Sequence, residues 1–201
     1  DMMVKRTRFE SLSKYYDFFT KILMLGSYGY IRNRIVDNKS TKFSLDLCCG
    51  TGFVTRHINS DLIIGLDLTP GMLKINKKKN DGRKNVVLII GDAYSLPFKD
   101  ESFNSIYFTL ASHEFRNIIP IIKGSFKILK NGGEITIYDI YKSNNIFHCA
   151  WLVFIKHVVE FGKCWTYTLA EWHKLLNDAG FIDVEEEIII KASVIIRGKK
   201  K

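Results

Sequence analysis

The amino-acid sequence predicts an α/β fold in which seven strands form a mostly parallel sheet with helices on both faces. Short apolar runs alternate with amphipathic stretches along most of the chain, as happens when each strand is followed by a helix that returns across the sheet. Glycine and proline mark the changes between elements. The 201 residues, of which 46% are hydrophobic, suffice for a substantial core, so we predict a single domain over residues 1–201.

Seven apolar runs have the length of strands and end at turn signals. The last run follows the sixth after a link that is too short for a crossover, so we expect the last strand to be antiparallel. The predicted strands cover residues 43–47, 62–66, 85–90, 103–109, 134–140, 181–190 and 194–197.

Segments with helical spacing lie before and between the strands. The aromatic-rich segment 9–36 is predicted to form two helices, broken at Gly26, within an N-terminal helical segment over 1–40. Thr69 and Thr168 are suitable N-cap residues for two later helices. The helices predicted after the first strand cover residues 53–59, 70–79, 118–129 and 168–179.

Residues 141–167 interrupt the alternation and are predicted to form a helical, aromatic-rich insertion. Such a segment could cover a substrate site as a lid, pack on its own domain, or make a homodimer or membrane-surface contact through 146–165. The longest apolar stretch, 146–159, is interrupted by polar residues and is shorter than the roughly 20 residues that span a bilayer. We therefore expect a cytoplasmic protein.

The net charge of +9 comes largely from lysine runs at 77–79 and 199–201. A basic balance can indicate nucleic acid or an anionic membrane. These runs are not interleaved with aromatic residues on which bases could stack, so solvated helix faces are favoured and nucleic acid is disfavoured as a partner. The four cysteines form no Cys-x-x-Cys pair, and we predict no metal site.

A glycine-rich turn follows the first predicted strand, with Asp46 before it and Gly50-Thr51-Gly52 within it. The two glycines allow a sharp turn and a close approach of a ligand to the backbone. Such a turn can also serve strand–helix packing alone. The turn alone therefore does not distinguish a ligand site from a packing turn.

The second and third strands also end in groups that suit a nucleoside. Asp67 could accept hydrogen bonds from both ribose hydroxyls, or it could balance the dipole of the next helix. Gly91-Asp92-Ala93 could bind the adenine edge, or form an ordinary polar loop. Because the carboxyl ends of parallel strands share one edge of a sheet, these groups are expected to meet at one site.

The residues after the turn favour S-adenosylmethionine over a nicotinamide dinucleotide. The dinucleotide pattern requires a third glycine, but Gly52 is followed by Phe53-Val54-Thr55, and Phe53 would crowd a pyrophosphate. Asp46 suits an ammonium group, such as that of a methionine moiety.

The chain resembles class I S-adenosylmethionine-dependent methyltransferases and, more narrowly, the ubiquinone/menaquinone biosynthesis C-methyltransferase family. The resemblance covers residues 10–140 and 169–184 and is carried by residues 15–17, 45–52, 65–73, 91–98, 116–117 and 128–133. It implies a Rossmann-like fold and methyl transfer to a small apolar or aromatic acceptor, with quinone-like C-methylation as the suspected reaction. The product would be S-adenosylhomocysteine.

The resemblance also implies a set of cofactor-binding residues. Tyr16 would close over the cofactor, Asp67 would hold the ribose, and Thr109 would lie beneath the sulfonium. Leu68 and Met72 would pack near the adenine. The full set comprises Tyr16, Asp46, Cys48, Gly50, Thr51, Gly52, Asp67, Leu68, Met72, Gly91, Asp92, Ala93 and Thr109.

The catalytic candidates follow the fourth strand. His113 could act as a base toward a phenol-like acceptor, or be a hydrogen-bonded structural histidine. Arg116 could hold an anionic oxygen of the acceptor, or form a surface salt bridge. Residues 108–111 read Phe-Thr-Leu-Ala, whereas nucleic-acid amino methyltransferases usually carry Asp/Asn-Pro-Pro-aromatic there. A nucleic-acid methyltransferase or binder and a non-catalytic cofactor-binding interaction module remain the alternatives.

Overall fold

The computed structural model describes residues 27–36, 40–143, 164–189 and 193–201. Within these residues seven strands form one sheet in the order β3-β2-β1-β4-β5-β7-β6. The strands are β1 (Thr41–Leu47), β2 (Ser60–Asp67), β3 (Val86–Ile90), β4 (Phe103–Thr109), β5 (Leu129–Ile140), β6 (Ile182–Ile188) and β7 (Ser193–Lys199). The helices are α1 (Tyr28–Val36), α2 (Pro70–Lys79), α3 (Ile119–Ile128) and α4 (Leu169–Ala179).

The predicted sheet is confirmed, including the reversed last strand. β1, β2, β3, β4 and β5 pair in parallel, whereas β7 is antiparallel to both of its neighbours, β5 and β6. The chain order switches at β1, which lies between β2 and β4. In open α/β sheets, ligands bind outside the carboxyl ends of the strands at such a switch point.

Neighbouring residues on each strand point to opposite faces and build two cores. Phe108 and Ile137 belong to the core beneath α3 and α4. Tyr107 and Tyr138, one position away, belong to the core beneath α1. Because both faces are buried, the central strands are apolar along their length, which is why they were recognisable in the sequence.

Both predicted N-cap residues occupy N-cap positions, but only Thr168 makes a capping hydrogen bond with its side chain. Thr168 and Glu171 form a capping box at the start of α4, and Gly180 ends the helix with φ 103°. Thr69 occupies the N-cap position of α2, but its side chain makes no capping hydrogen bond. No helix in the described ranges has the length and apolar character needed to cross a bilayer.

One predicted helix is wrong, and one predicted strand begins earlier than expected. The segment 53–59 is not a helix; it forms turns and a short 3₁₀ helix, Thr55–His57. Arg83 donates hydrogen bonds to the carbonyls of Thr55 and Ile58 at 3.2 and 3.1 Å. Because β2 begins at Ser60, no residues remain for further helical turns. β5 begins at Leu129, directly after α3, because Leu129 already has extended dihedrals. Tyr16 and residues 144–163 of the predicted insertion lie outside the described residues.

Candidate active site

The glycine-rich turn leaves β1 through several residues in the left-handed region. Cys48, Gly50 and Gly52 have φ values of 56°, 48° and 85°. A Cβ on Gly50 would meet no heavy atom within 4 Å, whereas one on Gly52 would lie 2.6 Å from Asn76 Oδ1. The two glycines therefore differ in purpose: Gly50 borders open space, and Gly52 permits close packing against α2.

Asp67 joins the end of β2 to this turn. Its Oδ2 accepts a hydrogen bond from Gly50 N at 2.8 Å, and its Oδ1 accepts one from Thr69 N at 2.8 Å. Burial raises the pKa of Asp67, and the two backbone donors oppose part of that rise. Each carboxylate oxygen can accept more than one hydrogen bond, so the carboxylate keeps capacity for a ligand hydroxyl.

Asp46 is almost fully buried and only half paired. Its Oδ2 accepts a hydrogen bond from Thr55 Oγ1 at 2.5 Å, while its buried Oδ1 has no hydrogen-bond partner among the described residues. Burial raises its pKa to about 7; the Thr55 hydrogen bond lowers it, and the charge of Asp67 raises it. An unpaired buried carboxylate oxygen is costly, and an ammonium group from a ligand would remove that cost. The site therefore fits the methionine end of S-adenosylmethionine.

The residues predicted to contact adenine lie at the ends of β2 and β3. Met72 is buried on α2 and Leu68 is half-buried before it. Asp92 Oδ1 accepts a hydrogen bond from Tyr94 N at 3.0 Å, so this carboxylate also shapes its own loop. Ala93 is buried beside it, and a Cβ on Gly91 would lie 2.8 Å from Leu66. All of them stand at the sheet edge that carries the glycine-rich turn.

A buried histidine–aspartate pair lies at the ends of β4 and β5. Beyond Thr109 a short 3₁₀ helix, Ser112–Glu114, carries His113. His113 Nδ1 lies 2.6 Å from Asp139 Oδ1 of β5, and Ser112 Oγ donates to Asp139 Oδ2 at 2.5 Å. Thr109, Ser112 and His113 are all buried. β4 adjoins β1, so this pair is one strand away from the turn.

The charge state of Asp139 fixes the role of the histidine ring. Burial raises the pKa of Asp139, but the His113 charge and the hydrogen bonds from His113 and Ser112 outweigh it, so the net shift is downward. An ionised Asp139 accepts, and His113 Nδ1 must therefore carry a proton. The other ring nitrogen, Nε2, lies 4.0 Å from Glu114 Oε1. Arg116 lies on the exposed surface after this turn.

The sequence identified His113 but missed Asp139, Thr55 and Asn76. A carboxylate inside an otherwise apolar buried strand requires a partner, and this signal was available at Asp139. Thr55 and Asn76 lie in segments that read as ordinary helix surface. The described residues contain no group of three or more His, Cys, Asp or Glu placed to hold a metal ion.

Known proteins resemble this chain in sequence and in fold. The model of the ubiE/COQ5 methyltransferase family matches residues 2–186. The chain belongs to the ubiE/COQ5 methyltransferase family. A demethylmenaquinone methyltransferase of Staphylococcus aureus is 27% identical, over 88% of this chain and 84% of that protein.

Two solved structures share the fold. A SAM-dependent methyltransferase of Thermotoga maritima, described as a possible histamine N-methyltransferase, has a TM-score of 0.80 at 20% identity, over 96% of this chain and 98% of that one. A Haloferax volcanii methyltransferase in complex with the Trm112 activator has a TM-score of 0.77 at 17% identity, over 95% and 96%. The protein is thus an S-adenosylmethionine-dependent methyltransferase with a Rossmann-like fold.

Proposed function

We propose that this enzyme methylates a ring carbon of a small aromatic acceptor of the quinone type, in its reduced, phenolic form. The observation that carries the proposal is the buried His113–Asp139 pair, which lies beside Thr109 on the edge that bears the glycine-rich turn. The ring carbon of a phenol becomes a better nucleophile when the hydroxyl loses its proton, and a base at this place would take that proton. The S. aureus relative, named for demethylmenaquinone, supports an acceptor of this class.

Residues along the edge would contact four parts of the cofactor. Asp46 Oδ1 would receive the ammonium group, and Asp67 would receive the ribose hydroxyls. Asp92 and Ala93 would bind the adenine edge, and Thr109 would lie beneath the sulfonium. The bound cofactor supplies a methyl group that its sulfonium already activates, so alignment of the acceptor accounts for much of the rate.

The chain's own residues would manage the acceptor's protons. His113 Nε2 would remove the phenolic proton, which makes the ring carbon a better nucleophile. Asp139 would hold the ring through Nδ1 and stabilise the imidazolium that forms. Arg116 would stabilise the anionic oxygen of the acceptor. After transfer, the hydrogen on the methylated carbon would leave to water as a proton, and the imidazolium would return its proton to the acceptor oxygen. The ring is then aromatic again, His113 is neutral, and one proton has been released.

Two measurements test the proposal. Calorimetry with S-adenosylhomocysteine should show binding to the wild type and weaker binding to Asp67→Ala. Turnover with S-adenosylmethionine should then be followed by mass spectrometry on a reduced quinone, a simple phenol, an amine and RNA. We expect methylation of a ring carbon of the reduced quinone. Transfer confined to the amine or to RNA would overturn the proposed acceptor, and unchanged binding by Asp67→Ala would overturn the proposed cofactor contacts.

A further inference from the structure

A row of buried polar side chains lies behind the glycine-rich turn and links α2 to β1. Asp46, Thr55 and Asn76 are at most 1% exposed, and Asn80 is 6% exposed. Buried polar groups cost free energy unless they are hydrogen-bonded, so a row of four of them calls for a specific arrangement of donors and acceptors.

The orientation of the Asn76 carboxamide is fixed from the side of α2. Asn80 Nδ2 donates to Asn76 Oδ1 at 2.7 Å and to the Asn76 carbonyl at 3.0 Å. Arg83 Nη1 approaches Asn80 Oδ1 at 3.5 Å, which favours the orientation that leaves the Asn80 amino group facing Asn76. The amino group of Asn76 therefore faces the glycine-rich turn.

From there the donors point toward the buried carboxylate. Asn76 Nδ2 donates to Thr55 Oγ1 at 3.1 Å and to the Gly50 carbonyl at 3.2 Å. A hydroxyl has one hydrogen, and the Asn76 amino group can only donate, so the Thr55 hydrogen is directed to Asp46 Oδ2 at 2.5 Å. Every donor in the row points the same way, and the row ends at a carboxylate whose other oxygen, Oδ1, is unpaired.

Asn76 also supports the backbone of the turn. Its carboxamide occupies the space in which a Cβ of Gly52 would lie, 2.6 Å from Oδ1. Its amino group holds the Gly50 carbonyl, while the Gly50 N–H binds Asp67. One side chain therefore contacts the turn directly and reaches Asp46 through Thr55.

We propose that Asn76 is a positioning residue for the amino-acid end of the cofactor. It holds the Gly50 carbonyl and, through Thr55, orients Asp46 so that Oδ1 faces the ammonium group of the ligand. This inference rests on the proposed contact between Asp46 and that ammonium. It predicts a selective defect: ligands that carry the amino-acid end lose affinity, and ligands that lack it do not.

Calorimetry with two ligands tests the inference. S-adenosylhomocysteine carries the amino-acid end, whereas 5′-methylthioadenosine has the same adenosine and thioether without it. For Asn76→Ala we expect about a tenfold weaker affinity for S-adenosylhomocysteine, the size of one lost hydrogen bond to a charged group, and a change below about twofold for 5′-methylthioadenosine. Asn85→Ala is the matched control, because the Asn85 amide bonds only the Ser60 carbonyl among the contacts described, at 2.8 Å, away from the turn. That control should change neither affinity.

The possible outcomes distinguish a failure of the role proposed for Asn76 from a failure of the proposed contact between Asp46 and the ammonium group. An equal loss for both ligands in Asn76→Ala would mean a general structural role, and no loss for either would mean no role; both overturn the inference. If Asp46→Asn keeps the wild-type preference for S-adenosylhomocysteine, the Asp46 contact itself fails. If Asp46→Asn loses the preference and Asn76→Ala keeps it, only the inference fails. Should Asn76→Ala not fold, Thr55→Val removes the hydroxyl that joins Asn76 to Asp46, leaves the Asn76 contact with the Gly50 carbonyl in place, and should give the same selective loss.

Discussion

Two buried carboxylates stand at the carboxyl edge of the same sheet in opposite surroundings. Asp139 on β5 accepts hydrogen bonds from the Ser112 hydroxyl, the His113 ring and backbone, and the Ile140 N–H. Among the described residues, Asp46 on β1 accepts hydrogen bonds from Thr55 alone, through its hydroxyl and its backbone N–H, and one of its buried oxygens has no partner. Both side chains are 1% exposed, so burial does not distinguish them.

The difference in partners reverses the direction of the pKa shift. The pKa of Asp139 is lowered, because the His113 charge and the surrounding donors outweigh burial. The pKa of Asp46 is raised to about 7, because burial outweighs its hydrogen bond with Thr55 and the Asp67 charge adds to the rise. A carboxylate whose two oxygens both accept hydrogen bonds within the chain is satisfied without a ligand. A buried carboxylate with one unpaired oxygen can still accept a hydrogen bond from a ligand.

The largest expected effect is a loss of kcat on changing the His113–Asp139 region, with little change in the cofactor affinity that we assign to the Asp46 region. We expect His113→Asn to lower kcat by about 10²- to 10⁴-fold, because the change removes the proposed base. The affinity for S-adenosylhomocysteine should stay within about twofold, because the Asp46 region is untouched. Steady-state kinetics and calorimetry on the same preparation measure both. His173→Asn is the control, since His173 pairs with Glu186 at 2.5 Å on α4 and β6 and should leave kcat unchanged. A loss of affinity as large as the loss of kcat would contradict the separation.

The second prediction is that the same isosteric change has opposite effects on stability at pH 8. The lowered pKa of Asp139 contributes stability above the unfolded pKa of about 4, which is lost as pH falls through the folded value. The raised pKa of Asp46 works the other way: stability falls as pH rises from about 4 to about 7.

At pH 8, Asp139→Asn should therefore lower the free energy of unfolding by about 3 kcal/mol, and Asp46→Asn should raise it by a similar order. Urea unfolding of the ligand-free protein at pH 8 and pH 5 is the measurement. At pH 5 the gain from Asp46→Asn should shrink, because the wild-type carboxyl is then mostly protonated. Two changes of the same sign at pH 8 would refute the comparison.

The third prediction concerns ligand affinity. Below pH 7 an ammonium ligand must displace the Asp46 proton, so Kd for S-adenosylhomocysteine should rise by up to about tenfold for each pH unit between 7 and 5.5. 5′-Methylthioadenosine brings no ammonium and should show little of this dependence, and Asp46→Asn should remove it. Calorimetry across this pH range would decide the matter, and equal slopes for both ligands would exclude Asp46 as the cause.

The fold was largely predictable because its signals are local. Buried parallel strands read as apolar runs, and Thr168 with Gly180 carried both ends of α4. The glycine-rich turn, Asp67 and the loop at Asp92 were also predicted at strand ends, and the structure places them at the ends of β1, β2 and β3. The helix predicted for 53–59 is absent, and two carbonyls of that segment, those of Thr55 and Ile58, accept hydrogen bonds from Arg83, a residue more than twenty positions away.

The hydrogen-bond partners within the site could not be predicted, because they join residues that are far apart in the sequence. Asp139 meets His113 only because β5 lies beside β4, an adjacency that strand periodicity does not encode. Asn76 meets Thr55 across 21 positions of sequence, and its amide orientation depends on Asn80 one helical turn later. Strand ends indicate where a site lies; the pairing of its buried polar groups follows from packing.

The smallest expected effects come from the two glycines of the turn beside Asp46. Gly50 borders open space, whereas Gly52 borders space that the Asn76 side chain fills. Gly50→Ala should lower the free energy of unfolding by about 1 kcal/mol, the cost of a left-handed alanine, because its Cβ meets nothing. Gly52→Ala adds a Cβ 2.6 Å from Asn76 Oδ1 and should cost about 1 kcal/mol more. Thermal unfolding with and without S-adenosylhomocysteine measures both. Gly50→Ala should also lose most of the stabilisation by ligand, because its Cβ would enter the space that we propose for the ligand. Full stabilisation would show that the open space serves another purpose.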